Sequence, residues 1–195
     1  MEVLKSFGNK KIGYLDFDTT IQFDSLPCRE SRDCYIILYA QAESTIITDF
    51  IEYKTPHDTL FFFSVGQQFQ IADNSKGEMI YFNPEFYCIA FHDKELTCDG
   101  VLFNNVFETP YIILTNEENS SFGRICDQIK HELNKDDYWT EEMTRTKLKE
   151  LIITASRAWL NRIPEQRGMG TTEDAVTRKF SHLVEANYHR YHSVA

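Results

Sequence analysis

Residues 59–65 read TLFFFSV, with Phe61, Phe62 and Phe63 in succession. Aromatic and β-branched residues favour strands, so this run predicts a β-strand. Successive side chains of a strand point to opposite faces of its sheet, so the three rings must lie on both sides of it. We therefore expect at least one of the rings to point into the interior of a β-barrel.

Short runs of the same kind recur from about residue 12 to about residue 115, broken by Gly, Asn, Asp and Pro. The connections between the runs are too short for crossover helices, so they predict a barrel or a sandwich rather than alternating β–α units. The runs are CYIILYA (34–40), STIITDFIEY (44–53), GEMIYFN (77–83), FYCIAFH (86–92) and YIILT (111–115).

The hydrophobic period becomes helical after about residue 120. Ser120 or Ser121 is expected to cap a first helix, and Thr140 to cap a second. Residues 163–172 mix Pro, Gly and polar side chains and predict a linker, and a third helix is expected over about 173–188. The apolar stripe of the first helix is Phe122, Ile125, Cys126, Ile129 and Leu133, and that of the second is Leu148, Leu151, Ile152, Ala155 and Trp159.

The chain has 195 residues, 42% of them hydrophobic, which suffices for one substantial core. Its formal net charge of −10 repels phosphate backbones, because nucleic-acid affinity comes largely from Lys and Arg. This segment is therefore expected not to bind DNA by itself. It shows no apolar stretch typical of a signal peptide or a membrane span, so we expect a cytoplasmic protein without membrane contact.

The residues that could hold a metal are few and badly spaced. Cupin enzymes use a His-x-His pair, a nearby Glu and a distant His, and no His-x-His occurs here. At most His57 and His92 lie in the strand region, while His189 and His192 are expected to be solvated residues at a helix end. The five cysteines, which form no C-x-x-C pair, indicate neither a zinc site nor a disulfide framework. No cofactor is expected.

Two possible nucleophiles lack suitable surroundings. Cys88 lies in an apolar run, where sulfur usually acts as a small hydrophobe, and Ser64 lacks the G-x-S-x-G turn that would expose it. Both are expected to be core or strand-end residues. A cyclic nucleotide is also an improbable ligand, because no arginine follows Glu78 within about ten residues to pair with its phosphate.

Three segments together resemble transcription regulators of the AraC family. They are KGEMIYFNPEFYCIAFHDKELTCDGVLFNN (76–105), LIITASRAWL (151–160) and RKFSHLVEANYHRYHSVA (178–195). The resemblance implies a cupin-like β-barrel (jelly roll) as sensor, helices that pack against it and pair two subunits, and the first helix of a helix-turn-helix DNA-binding domain.

These implications divide the chain into three parts of an α+β protein. The cupin-like barrel is expected over 1–118, a helical dimerisation unit over 119–162, and a linker with the truncated start of the DNA-binding domain over 163–195. In the final HSVA, Ser193 is a good N-cap residue, so the recognition helices are expected to follow Ala195.

A sensor pocket would be lined by side chains that share the inner face of the barrel. The candidate ligand-binding residues are Arg29, Tyr35, Phe62, Tyr81 and His92, around a lumen that is mostly apolar. The alternative is that these rings simply fill the barrel.

The expected function is that of a ligand-sensing and dimerisation region that controls how promoter DNA is reached through the helix-turn-helix domain. A homodimer is expected to form through the second helix. Its candidate residues are Leu148, Leu151, Ile152, Ala155 and Trp159, bordered by Arg145, Lys149 and Arg157. Two alternatives stay open: a cupin isomerase or oxygenase, and a dimerisation scaffold without a ligand.

Overall fold

Strands precede helices along the chain, an order that confirms the α+β class. The computed structural model describes residues 2–18, 21–22, 33–48, 50–73, 75–87, 102–103 and 109–166. In these residues the strands are β1 (Glu2–Phe7), β2 (Lys10–Phe17), β3 (Ile21–Gln22), β4 (Tyr35–Ala40), β5 (Thr45–Thr48), β6 (Ile51–Lys54), β7 (Thr59–Phe63), β8 (Phe69–Ile71), β9 (Gly77–Phe82) and β10 (Tyr111–Ile113). The helices are α1 (Asn116–Leu133) and α2 (Thr140–Gln166).

The strands form two antiparallel sheets. A six-stranded sheet has the order β1-β2-β9-β4-β7-β10, and a four-stranded sheet has the order β3-β8-β5-β6. Among the described residues no strand pairs with both sheets, so they form two layers that are not closed into a barrel.

The central strands of the six-stranded sheet, β4, β7 and β9, are buried on both faces. Along β7, Phe61 and Phe63 pack towards the four-stranded sheet, in a cluster that includes Phe69. Phe62 points the other way, into a cluster that contains residues of both helices. The prediction that the three rings lie on both sides of the sheet is therefore confirmed. The order of layers is helices, six-stranded sheet, four-stranded sheet.

Helix α1 begins earlier than its sequence pattern predicts. Its N-cap is Thr115, whose hydroxyl accepts a hydrogen bond from the backbone N–H of Glu118, while the Glu118 carboxylate accepts one from the Thr115 N–H. This reciprocal capping box corrects the prediction of a cap at Ser120 or Ser121. The apolar stripe predicted for this helix, from Phe122 to Leu133, is buried.

The apolar stripe of α2 is used within the chain. Each of its predicted dimerisation residues, Leu148, Leu151, Ile152, Ala155 and Trp159, is at most 4% exposed and packs in the cluster between the helices and the six-stranded sheet. The single chain thus buries this stripe itself, and a dimerisation role for these residues stays a prediction. The helix also runs to Gln166, past the predicted end at residue 162.

Two hairpins differ from the sequence prediction. Residues 44–53, predicted as one strand, form β5 and β6 around a turn at Phe50, whose φ is 64°. Strand β1 lies where no strand was predicted, and it turns into β2 at Gly8, whose φ is 69°. In the run predicted over 86–92, Phe86 and Tyr87 lie in a turn and the rest lies outside the described residues.

No helix of the described residues is long and apolar enough to cross a membrane.

Gly77 allows β9 to pack closely against β4. A Cβ at this position would lie 2.0 Å from the carbonyl oxygen of Tyr39, so the backbone would have to shift. We expect Gly77→Ala to lower the free energy of unfolding by about 2 kcal/mol. The control is Gly123→Ala on α1, where a Cβ meets nothing within 4 Å and should add up to about 1 kcal/mol of stability. Urea unfolding measures both changes, and equal effects would contradict the explanation.

Candidate functional site

The space between the two sheets is lined by aromatic rings. Tyr53 contacts Phe61 and Tyr111 edge-on, with centroids 5.7 Å and 5.4 Å away, and Phe63 stacks on Phe69 at 4.4 Å. Of the predicted ligand-binding residues, Tyr81 lies in this cluster and is 3% exposed.

The other predicted ligand-binding residues do not share this space. Tyr35 and Phe62 lie on the helix-facing side of the six-stranded sheet, where both contact Phe103, with centroids 5.1 Å and 5.7 Å away. Tyr35, Phe62 and Tyr81 do not line one common lumen, because residues paired across neighbouring strands share a face of the sheet. Tyr35 pairs with Phe82 on the helix side, whereas Tyr81 pairs with Ile36 on the inter-sheet side. Arg29 and His92 lie outside the described residues.

A polar group interrupts the apolar packing between the six-stranded sheet and α1. The Tyr14 hydroxyl donates a hydrogen bond to the Asp16 carboxylate at 2.9 Å. The Lys130 ammonium of α1 donates to both oxygens of the same carboxylate, at 2.9 Å and 3.0 Å. The ammonium also lies over the Tyr14 ring, 4.4 Å from its centroid. These three residues fasten the C-terminal half of α1 to β2.

A second polar group fastens the N-terminal end of α1. The Tyr39 hydroxyl donates to the Asp58 carboxylate, 2.8 Å away, and its oxygen lies 2.8 Å from the side-chain oxygen of Asn119. The Asn119 amide in turn donates to Asp58 at 2.6 Å. The other Asp58 oxygen accepts the backbone N–H of Ala42 at 2.8 Å. The two groups, Tyr14–Asp16–Lys130 and Tyr39–Asp58–Asn119, are called the polar ties below.

The protonation states in the polar ties follow from burial and hydrogen bonding. Burial raises the pKa of the Asp16 carboxyl, but hydrogen bonds from Lys130 and Tyr14 outweigh it, so the pKa lies below its ordinary value. Burial and nearby carboxylates raise the pKa of Tyr14 and of Tyr39. Both phenols therefore stay protonated as donors, and Asp16 stays ionised as an acceptor.

The possible nucleophiles among the described residues are not activated. Burial, reinforced by nearby Glu78 and Asp127, raises the pKa of the Cys126 thiol to about 12. Ser64 follows the end of β7, as expected for a strand-end residue, and its hydroxyl donates to the Phe103 carbonyl. Within the described ranges, no group of three His, Cys, Asp or Glu side chains could hold a metal ion.

A cleft of about 620 Å³ lies at one end of the six-stranded sheet, a size in the range of small-molecule sites. Its wall is organised by Asn83, which is 8% exposed. The Asn83 side chain accepts the N–H groups of Lys11 and Phe86, at 2.7 Å and 3.1 Å, and donates to the Asn9 carbonyl at 2.7 Å. The lining residues are Gly8, Asn9, Lys11, Asp33, Val65, Asn83, Pro84 and Glu85.

Arg145 connects the wall of this cleft to α2. Its Nε donates to the Phe86 carbonyl at 3.2 Å, and the guanidinium lies 5.2 Å from the centroid of the Phe86 ring. The same guanidinium pairs with Glu141 and with Glu142, both in the first turn of α2. A movement of residues 83–86 would therefore be passed to the start of α2. Sequence spacing gave no sign of this connection.

Several large apolar side chains are exposed outside these sites. Phe50 is 105% exposed and Ile51 51% exposed at the β5–β6 turn. Tyr138 and Trp139, 88% and 65% exposed, lie edge-to-face with centroids 4.9 Å apart before α2. Exposed aromatic residues of this size are typical of interaction surfaces.

Comparison with known proteins yields a distant structural likeness. No model of a protein family matches the chain, and no curated protein matches it. Among solved structures, it is similar to the crystal structure of the AraC-like transcriptional activator CuxR, with a TM-score of 0.46 and 12% identity. The match covers 98% of this chain, which spans 65% of that chain.

The Lys130–Asp16 pair should stabilise the protein in a pH-dependent way. We expect Lys130→Met to lower the free energy of unfolding by about 1–2 kcal/mol at pH 7, because a half-buried carboxylate loses its charged donor. The folded-state pKa of Asp16 is lowered, so this contribution is present above the pKa of the unfolded chain. It should fade as the pH falls below about 4, where the carboxyl takes up its proton.

The matched control is Lys147→Met, which removes an ammonium from an ion pair with Glu150 within α2. Such pairs contribute less than about 0.5 kcal/mol. Urea unfolding at pH 7 and at pH 3 compares the two variants. A loss for Lys130→Met that is the same at both pH values would show that the ion pair is not its source.

Proposed function

We propose that this chain is the sensor and dimerisation region of a transcription regulator of AraC type. In this proposal a cupin-like domain responds to a small effector and controls how a helix-turn-helix domain is presented to promoter DNA. The observation that carries the proposal is the six-stranded sheet, which shares one face with the four-stranded sheet and the other with both helices.

The shared sheet provides a physical route from an effector to the helices. Phe61 and Phe63 line the inter-sheet space, and Phe62 between them packs on the helix side. A ligand that displaces β7 or β9 on one face therefore changes the packing on the other, because close-packed interiors transmit strain. The hydrogen bonds of the polar ties fix the position of α1 on the sheet, so a displaced strand should move the helix with it.

Helix α2 is the element suited to deliver the response. Arg145 joins its first turn to the cleft wall, and Arg162 near its end pairs with Glu118 of α1. Helix α2 includes residues 151–160, and the segment 178–195 resembles the first helix of the DNA-binding domain in AraC-family regulators. A helix held at both ends can carry a shift towards that segment.

The proposal has two candidate binding positions for an effector. Tyr81 belongs to the aromatic inter-sheet cluster, and Val65 lines the open cleft. Because burying an unpaired ion costs several kcal/mol, a ligand of the inter-sheet space should carry little charge. The cleft, which also has Lys11, Asp33 and Glu85 in its lining, would accept a more polar molecule.

A thermal-shift screen with sugars, fatty acids and aromatic acids tests the sensor. We expect one class to raise the melting temperature, because a ligand that binds only the folded form stabilises it. Tyr81→Phe should weaken the shift if the ligand lies between the sheets, and Val65→Arg should abolish it if the ligand lies in the cleft. If no class gives a shift, the chain is a dimerisation scaffold without a ligand.

The residues 1–195 should not bind promoter DNA specifically by themselves. Their net charge of −10 opposes phosphate contacts, which supply most of the affinity of proteins for DNA. A gel-shift titration with promoter fragments in about 0.1 M salt should show no sequence-dependent retardation. Saturable binding that prefers one sequence over a scrambled control would refute this prediction.

A further inference from the structure

Strand β6 forms an edge of the four-stranded sheet. It pairs with β5 on one side, and no strand of the described residues lies on its other side. An edge of this kind presents backbone N–H and C=O groups that can pair with another chain. Which residues present them follows from the hydrogen bonds around the hairpin.

The outward backbone groups belong to Glu52 and Lys54. The Thr55 N–H donates to the Ser44 carbonyl, so Thr55 points towards β5. Along a strand of an antiparallel pair, the backbone N–H and C=O groups of successive residues point alternately to the two sides. The backbone groups of Tyr53 and Ile51 therefore also point towards β5, while those of Glu52 and Lys54 point away from it. The opposite strand agrees: the Thr45 carbonyl, across from Lys54, accepts from Ala72 N–H on the β8 side.

The same edge has unusual exposed side chains. Phe50 is fully exposed at 105% and has a φ of 64°, which is a strained conformation for a large residue. Ile51 beside it is 51% exposed. On the other face of β6, Glu52 and Lys54 lie together as an exposed ion pair at 3.3 Å.

The sequence of β6 is complementary to itself in one antiparallel register. With a two-fold axis at Tyr53, Glu52 lies opposite Lys54 of the second copy, and Lys54 lies opposite its Glu52. Both residues are outward, so each such pair can exchange two backbone hydrogen bonds, as an antiparallel ladder requires. Opposite charges across strands also attract each other. The next positions bring Ile51 opposite Thr55, and Phe50 opposite Pro56.

We propose that β6 is a docking edge for a second copy of this chain, paired antiparallel about Tyr53 so that the four-stranded sheets of two molecules join. This inference deepens the homodimer of the proposed function and moves its interface away from the buried stripe of α2. The partner is another copy because the charge order Glu52–Lys54 matches its own reversal. Pairing would also cover Phe50 and Ile51.

The other described edges suit such pairing less well. At β1 the Lys5 ammonium is already paired with Asp136, 3.4 Å away. Strand β10 at the far edge of the same sheet has only three residues, and β3 at the other edge of the four-stranded sheet has two. Strand β6 is also short, so the pairing should be weak, in the micromolar range expected for an interface well below about 1,200 Å².

Sedimentation from about 1 to about 200 μM in about 0.15 M salt tests the inference with charge reversals. Glu52→Lys and Lys54→Glu each place like charges across the axis and should weaken dimerisation about tenfold. The double variant Glu52→Lys with Lys54→Glu restores both pairs and should return to within about threefold of the unmodified chain. The controls Lys147→Glu and Glu150→Lys make the same charge changes on an exposed pair of α2 and should have no such effect.

A backbone test separates strand pairing from a contact of charges alone. Lys54→Ala removes the ammonium, whereas Lys54→Pro also removes the outward N–H without taking a donor from the pairing with β5. Lys54→Pro should therefore dimerise at least tenfold more weakly than Lys54→Ala, with circular dichroism checking that both are folded. If Lys54→Pro does not fold, the charge reversals decide.

The outcomes distinguish this inference from the proposed function. If no substitution in β6 changes the dimerisation affinity, the docking edge is overturned, but the proposed homodimer stands. A monomer at every concentration overturns both the edge and the dimerisation by residues 1–195, while the sensor remains testable by thermal shift. Weakening by both single reversals with no recovery in the double variant would overturn the symmetric register.

Discussion

Burial of the central strands of the six-stranded sheet on both faces is the constraint on which the rest of the molecule depends. Strands β4, β7 and β9 must supply apolar side chains to two cores at once, and Phe61 and Phe62 do so from adjacent positions. If the helices or the four-stranded sheet separated from this sheet, one of its apolar faces would be exposed to water. This exposure costs roughly 25 cal/mol of free energy for each Å² of apolar surface. The two outer layers are therefore linked through the sheet between them.

Apolar packing alone would let α1 settle on the sheet in several ways, because the hydrophobic effect is non-directional. The polar ties remove this freedom. Asn119 near the start of α1 and Lys130 near its end each meet a carboxylate, Asp58 and Asp16. Because half-buried polar groups need hydrogen-bond partners, only one placement of the helix satisfies both. Apolar packing thus stabilises the contact of α1 with the sheet, whereas the polar ties determine the position of the helix.

Much of the architecture was predictable from periodicity, whereas the assignment of faces was not. The alternation of Phe61, Phe62 and Phe63 predicts rings on both sides. Because both faces are apolar, nothing in the run distinguishes the inter-sheet face from the helix face, on which Phe62 lies. The stripe of α2 was recognised, and only the structure shows that the chain itself covers it. The cap at Thr115 does have a sequence signal, because Glu118 follows it at the spacing of a capping box. Contacts such as that of Arg145 with Phe86 join residues far apart in sequence, and no local pattern encodes them.

The positions of the two tryptophans give the protein a built-in pair of optical probes. Trp139, 65% exposed on the turn before α2, should emit at long wavelength and be quenched readily by acrylamide. Trp159, 4% exposed between the helices and the sheet, should emit at shorter wavelength and resist quenching until the layers separate. Emission from the two indoles therefore distinguishes a local event at the helix turn from a loosening of the helix layer, without any added label.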